Sequence, residues 1–183
     1  MIVGDPERFA LEFEISTAYP DQHFLALGLF VVHVGGKGYG VRAPDATTFG
    51  NAVDGVKTLL QNPIEPTNPI LAGMSAANLA ELYLDAFYRD CPENIRDDER
   101  DQTAELFLSP RCEWPNFDRE FDDGSHILIL AFHDCIRLVA FMNDDYQVAD
   151  LSEQPVRLVE FQDVLRAWLS AFDMQRQSVL HPH

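Results

Sequence analysis

The chain holds one triplet whose residue types could bind a metal, His133-Asp134-Cys135. A His-Asp pair binds metal in some phosphohydrolases, and a cysteine could add a zinc ligand. A zinc site needs four ligands, however, and the chain has no second paired motif. The triplet falls between two apolar runs, where Asp is a common turn residue because its carboxylate accepts hydrogen bonds from nearby backbone N–H groups. We therefore favour a turn over a metal site.

Two Asp-Asp pairs, Asp122-Asp123 and Asp144-Asp145, could act as paired carboxylates in hydrolysis. Adjacent residues in a turn usually point apart, and such pairs arise by chance in a chain this acidic. No serine lies in the Gly-x-Ser-x-Gly pattern of an activated nucleophile. The run Gly35-Gly36-Lys37-Gly38 lacks the Ser or Thr that follows the lysine of a phosphate-binding loop, so it predicts a hairpin tip. We expect no enzyme: no catalytic residue, no cofactor and no metal.

The clearest signal in the sequence is its charge. The chain has 13 Lys+Arg against 30 Asp+Glu, a formal net charge of −17, and Lys37 and Lys57 are its only lysines. A field of that sign repels nucleic acid and anionic lipid and steers basic proteins toward the surface. The charge therefore argues against nucleic-acid and membrane partners and predicts a basic protein partner.

The segment from Asp85 to Asp123 concentrates this charge, with aromatic residues in its second half. Carboxylates supply long-range attraction, and an aromatic anchor supplies short-range affinity. Two interpretations stay open: a partner-binding surface, or a solvated acidic surface whose aromatic residues pack into the core. On the first, the residues predicted to contact a partner are Asp97, Asp98, Glu99, Asp101, Trp114, Phe117, Asp118, Glu120, Asp122 and Asp123.

The elements that must position these residues alternate between strands and helices. Polar-apolar alternation predicts a strand over Phe9–Ile15, and a run that is apolar on both faces predicts a central strand over His23–Val34, joined to the first by a hairpin turn. Apolar residues at helical spacing predict helices over Thr47–Gln61 and Ser75–Arg89, with Ser75 as the N-cap of the second.

The second half of the chain predicts a further hairpin, from His126–Phe132 and Ile136–Met142, and an amphipathic C-terminal helix around Phe161–Phe172. A short strand is predicted at Leu106–Leu108 and an edge strand at Val156–Leu158. The polar stretch before Leu106 is predicted to be a surface loop or a short solvated helix.

These elements predict one α+β domain spanning residues 1–183. Strands in runs, with helices between and after them, indicate a largely antiparallel sheet of about five to six strands with three helices. The N-terminus lacks the pattern of a secretory signal, and no apolar run approaches the length of a membrane span. Three cysteines without Cys-x-x-Cys spacing fit a reducing compartment. We expect a cytoplasmic protein whose oligomeric state the sequence leaves open.

Several segments are similar to one known family. They are Met1–Ala10 with Glu12–Ile15 after it, Gly28-Leu29-Phe30, Ala46-Thr47-Thr48, Asp123-Gly124-Ser125, Ile136–Ala140 and the C-terminal helix. Together they resemble immunity protein family 42, bacterial proteins encoded beside polymorphic or contact-dependent toxins. The stretch Pro63–Pro69 and the acidic segment depart from that pattern. The resemblance implies a small cytosolic protein that binds and blocks one cognate toxin, and it assigns no functional residues.

Three hypotheses follow for the function. The favoured one is an immunity protein that neutralises a toxin by occlusion. Many such toxins are nucleases with basic clefts, which an acidic inhibitor can match by mimicking the phosphate backbone. The alternatives are a non-enzymatic acidic adaptor or assembly module of a phage or secretion system, and a hydrolase that uses His133, Asp134 and Asp144-Asp145.

Overall fold

The computed structural model describes residues 1–20, 25–62, 65–89, 97–108, 112, 114 and 123–181, and side chains of the 97–108 segment from residue 100 onward. These residues form eight strands and five helices. The strands are β1 (Ile2–Asp5), β2 (Phe9–Ala18), β3 (Ala26–Val34), β4 (Lys37–Tyr39), β5 (Thr47–Thr48), β6 (Ser125–Phe132), β7 (Cys135–Asp144) and β8 (Gln147–Arg157). The helices are α1 (Phe49–Gln61), α2 (Pro69–Ala72), α3 (Ala76–Phe87), α4 (Asp97–Leu108) and α5 (Leu158–Leu180).

The N-terminal strands form one antiparallel sheet in the order β1-β2-β3-β4, with β5 paired to the start of β3. The predicted β2–β3 hairpin is confirmed, and the alternation in β2 places Phe9, Leu11 and Phe13 in the core. Gly35 and Gly36 form the tip between β3 and β4, both with positive φ, as a two-residue hairpin turn requires. The glycine-rich run is therefore a hairpin tip, as predicted.

A second antiparallel sheet has the order β6-β7-β8, and it corrects the prediction of a single sheet. The predicted hairpin of β6 and β7 is confirmed, with His133-Asp134 at its turn. The third strand, β8, is much longer than the edge strand predicted at Val156–Leu158, and Leu158 already belongs to α5. The first part of β8 was not predicted because its apolar residues follow no regular alternation with its polar ones.

The three predicted helices are present as α1, α3 and α5, but the described residues form five helices and not three, because α2 and α4 lie in the middle of the chain. At the start of α3 the Ser75 hydroxyl accepts a hydrogen bond from the Asn78 N–H at 3.2 Å, so the predicted N-cap is confirmed. The predicted strand at Leu106–Leu108 is wrong, because helix α4 continues through Leu108. Phe107 explains the extension, since its ring packs against Tyr83 of α3 with centroids 5.4 Å apart.

The core lies on both faces of the second sheet. Ile127 and Ile129 of β6 join the first sheet, α1 and α5 in one apolar cluster. Leu128 and Leu130, the alternate residues of the same strand, join α3 and α4 in another. The second sheet is thus a buried middle layer. Of the described helices, none is long and apolar enough to cross a membrane.

Helix α5 packs against the larger cluster through Trp168, and replacing this residue tests how much it contributes to the free energy of unfolding. Its ring lies 5.4 Å from that of Phe30 and 5.8 Å from that of Phe13. Trp168→Ala leaves a cavity in a filled core, so we expect a loss of about 3–5 kcal/mol in the free energy of unfolding, measured by urea denaturation. Met174→Ala on the same helix is the control, since Met174 is 66% exposed. A loss for Trp168→Ala no larger than that of the control would contradict this packing.

Candidate partner-binding surface

Trp114, one of the two predicted aromatic anchors, lies in the core. It is only 3% exposed, and its ring lies 6.3 Å from the rings of Phe9 and Phe30. Its backbone N–H donates to the Ile127 carbonyl at 2.7 Å, which fixes it along the outer edge of β6. In this conformation the indole is not available to a partner, and its position matches the alternative interpretation, an aromatic residue tucked into the core.

The predicted acidic contacts are described in part. Asp97, Asp98 and Glu99 form the first turn of α4, but their side chains lie outside the described structure. Asp101 is exposed on the same helix, and Asp123 is exposed just before β6, where its Oδ1 accepts a hydrogen bond from the Ser125 N–H at 3.0 Å. Four further predicted residues lie outside the described residues: Phe117, Asp118, Glu120 and Asp122.

Two exposed tyrosines lie among carboxylates at the end of α3 and at the β7–β8 turn. Tyr88 is 41% exposed and Tyr146 is 55% exposed. We call this region the acidic–tyrosine surface. It comprises Glu81, Asp85, Tyr88, Asp123, Asp144, Asp145 and Tyr146. Neither tyrosine was predicted as a contact. Tyr88 falls in the last turn of the helix predicted over Ser75–Arg89, whereas α3 ends at Phe87, and Tyr146 lies in a turn, where no periodic pattern marks a side chain as exposed.

Arg89 joins the two halves of this surface. Its Nε donates to the Tyr146 carbonyl at 2.6 Å, and its Nη1 donates to Asp85 Oδ1 at 2.9 Å and to Glu81. Hydrogen bonds to Glu81 and Asp85 raise the pKa of the Arg89 guanidinium, so the group stays charged. One cation thereby ties the last turn of α3 to the tip of the β7–β8 hairpin.

Two further contacts bring the start of β6 to the same place. The Asn143 N–H donates to the Gly124 carbonyl at 2.7 Å, which sets Asp123 beside the end of β7. The Tyr88 ring lies 4.8 Å from that of His126, the second residue of β6. The three segments that carry the acidic–tyrosine surface are therefore held together by backbone and ring contacts.

The carboxylates of this surface differ in their partners. Glu81 and Asp85 are paired with Arg89. Asp123, Asp144 and Asp145 are exposed and form no ion pair with any other described residue. Among the described residues nothing compensates their charge, so these carboxylates could bind a cationic group.

The residues of the hydrolase hypothesis lie far apart. His133 and Asp134 form the β6–β7 turn, whereas Asp144 and Asp145 lie at the opposite end of the ten-residue strand β7, about 30 Å away. Within the described ranges, no three His, Cys, Asp or Glu side chains are grouped as a metal site. Burial raises the pKa of the Cys112 thiol to about 11, so this cysteine is not a thiolate at neutral pH.

A second cluster of charged side chains lies on the outer face of the first sheet. Glu12 accepts a hydrogen bond from Arg42 Nη1 at 2.6 Å, and its other oxygen lies 2.8 Å from His33 Nε2. Burial raises the pKa of the Glu12 carboxyl, but the hydrogen bonds with Arg42 and His33 outweigh it and hold that pKa below its ordinary value. This cluster ties β2, β3 and the chain after β4 together.

The family model described as immunity protein 42 matches residues 1–171. The chain belongs to the immunity protein 42 family. The match includes every residue of the acidic–tyrosine surface and confirms the resemblance seen in the sequence.

A solved structure supports the fold of this family member. The crystal structure of CdiI from Burkholderia dolosa AUO158 aligns with a TM-score of 0.60 and 20% sequence identity, covering 93% of this chain and 99% of that one. At that identity the likeness establishes a shared fold. No curated protein sequence matches the chain.

The Glu12 cluster makes a pH-dependent prediction. Because the folded state lowers the pKa of Glu12, ionised Glu12 stabilises the fold above its unfolded pKa, and this stability is lost as the pH falls through the folded value. Glu12→Gln should therefore flatten the fall in the free energy of unfolding between pH 7 and pH 3, measured by urea denaturation. Glu14→Gln, an exposed neighbour on β2, should leave that fall unchanged. Equal slopes in all three proteins would contradict the assignment.

Proposed function

We propose that this protein binds a cognate bacterial toxin through the acidic–tyrosine surface and neutralises it by occlusion, without catalysis of its own. Membership in an immunity-protein family supports the neutralising role. The observation that supports this particular surface is that two exposed tyrosines, Tyr88 and Tyr146, lie beside Asp123, Asp144 and Asp145, which form no ion pair with another described residue. Aromatic anchors surrounded by complementary charge are the features that give protein interfaces affinity and rapid association.

The partner that fits this surface is a basic protein. Uncompensated carboxylates at an interface require cationic partners, since burying them unpaired is costly. A nuclease toxin with a phosphate-binding cleft has that charge, and we include such a toxin, acting in the cytoplasm, in the proposal. The other residues predicted from sequence also belong to the proposal: Asp97, Asp98, Glu99, Asp101, Phe117, Asp118, Glu120 and Asp122.

Growth rescue tests the function. The toxin domain encoded beside this gene is expressed alone and together with this protein, and we expect growth to resume only on co-expression, with the two proteins co-purifying. An unrelated immunity protein serves as the control for expression burden. Co-purification without rescue would identify an adaptor instead of an inhibitor, and the absence of both would overturn the proposal.

Charge steering makes a kinetic prediction. Removing the three unpaired charges with Asp123→Asn, Asp144→Asn and Asp145→Asn should slow association with the toxin about tenfold at low salt, because long-range attraction acts on the encounter. With rising salt, the association rate of the parent protein should fall steeply while its dissociation rate changes far less. Both rates are measured by surface plasmon resonance over a range of salt concentrations.

The matched control removes three exposed charges elsewhere, with Glu14→Gln, Asp54→Asn and Asp173→Asn. The net charge changes equally in the two triple variants, so a difference between them reports position. Equal slowing by both would assign the effect to net charge and remove the acidic–tyrosine surface from the proposal.

A further inference from the structure

We propose that Tyr146 is the anchor of the acidic–tyrosine surface and that it holds an arginine side chain of the toxin. This inference rests on the proposed function and names the partner group. It draws on three features of one hairpin tip: the backbone conformation of Tyr146, its exposure, and the charges beside it.

The backbone at the β7–β8 turn is unusual for a tyrosine. Asp145 has φ +45° and Tyr146 has φ +61°, and Asp144 pairs with Gln147, so these two residues form a two-residue turn of type I′. Such turns favour Asn or Asp followed by Gly. Asp145 fits its position, but Tyr146 occupies the place of the glycine, where a bulky side chain is strained.

The other residues with positive φ are of types that tolerate this conformation better than tyrosine does. Among the described residues that are not glycine, those with positive φ are His133, Asp145, Asp150 and Tyr146. His and Asp are among the types that tolerate this conformation, whereas tyrosine is not. A strained residue that a glycine would relieve indicates that the side chain itself is needed, and such strain collects at functional sites.

The Tyr146 ring is presented to solvent on a fixed backbone. It is 55% exposed, and neither its ring nor its hydroxyl has a partner in the described part of the chain. Its carbonyl accepts the Arg89 hydrogen bond at 2.6 Å, which ties the turn to α3. A rigid aromatic side chain loses little conformational freedom on binding, so it suits an anchor.

The charges beside the ring specify an arginine. A guanidinium can stack on the aromatic face while its N–H groups donate to the carboxylates of Asp144 and Asp145. A lysine ammonium lacks the planar group that does both at once. An apolar side chain would cover the ring but bury two carboxylates without partners.

The first test separates binding from stability. Tyr146→Gly should relieve the strained turn and raise the urea midpoint of unfolding, while the complex with the toxin dissociates at least about tenfold faster. Tyr146→Phe keeps the ring and should bind within about threefold of the parent protein. Tyr19→Ala removes an exposed tyrosine after β2, 39% exposed, and should change neither quantity.

The second test identifies the partner group. Exposed arginines of the toxin are replaced singly by alanine and combined with Tyr146→Gly in double-mutant cycles. We expect one arginine whose loss costs at least about fivefold more in affinity when Tyr146 is present. Coupling to an apolar residue instead would overturn the arginine assignment.

The outcomes distinguish a failure of the Tyr146 anchor from a failure of the proposed function. If the parent protein neither binds nor neutralises the toxin, the proposed function fails. If the parent binds and Tyr146→Gly binds equally well, the anchor fails while the proposed function stands. A lower urea midpoint for Tyr146→Gly than for the parent would contradict the strained turn, and the binding comparison would then use Tyr146→Asn, because asparagine tolerates positive φ.

Discussion

The whole arrangement depends on burying both faces of the second sheet. Strand β6 is buried along seven of its eight residues, and its alternate side chains enter different apolar clusters. A sheet of this kind must be covered twice, because an apolar face left in water costs about 25 cal/mol for each Å². The first sheet with α1 and α5 covers one face, and α3 with α4 covers the other.

The position of the acidic–tyrosine surface follows from that layering. Because α3 packs across the second sheet, its C-terminal turn ends beside the β7–β8 hairpin, where Arg89 reaches the Tyr146 carbonyl. The same layer holds Tyr88 against His126. The surface is thus the exposed rim of a packed layer, and its side chains are placed by the core beneath them.

Local patterns were sufficient for elements that carry their own signal. The Ser75 cap, the stripe of α5 and the two hairpins could all be read from spacing and turn residues. The division into two sheets could not, because an apolar run gives no sign of which core each of its faces meets. Trp114 and Tyr146 show the same limit at the site. The tryptophan in an acidic segment is buried and the tyrosine in a turn is exposed, and only tertiary packing decides this.

Charge and shape have different roles in this molecule. Exposed carboxylates also lie on β2, α1 and α5, at Glu14, Asp54 and Asp173, so net charge alone does not mark one docking position. In the proposed function the exposed tyrosines supply that position, because contact with an aromatic ring acts only at short range. Tyr146 lowers the stability of the β7–β8 turn, since a glycine at its position would make a more stable turn. A less stable residue at an exposed hairpin tip is what a trade-off between fold stability and binding would produce, and such trade-offs are common at functional sites.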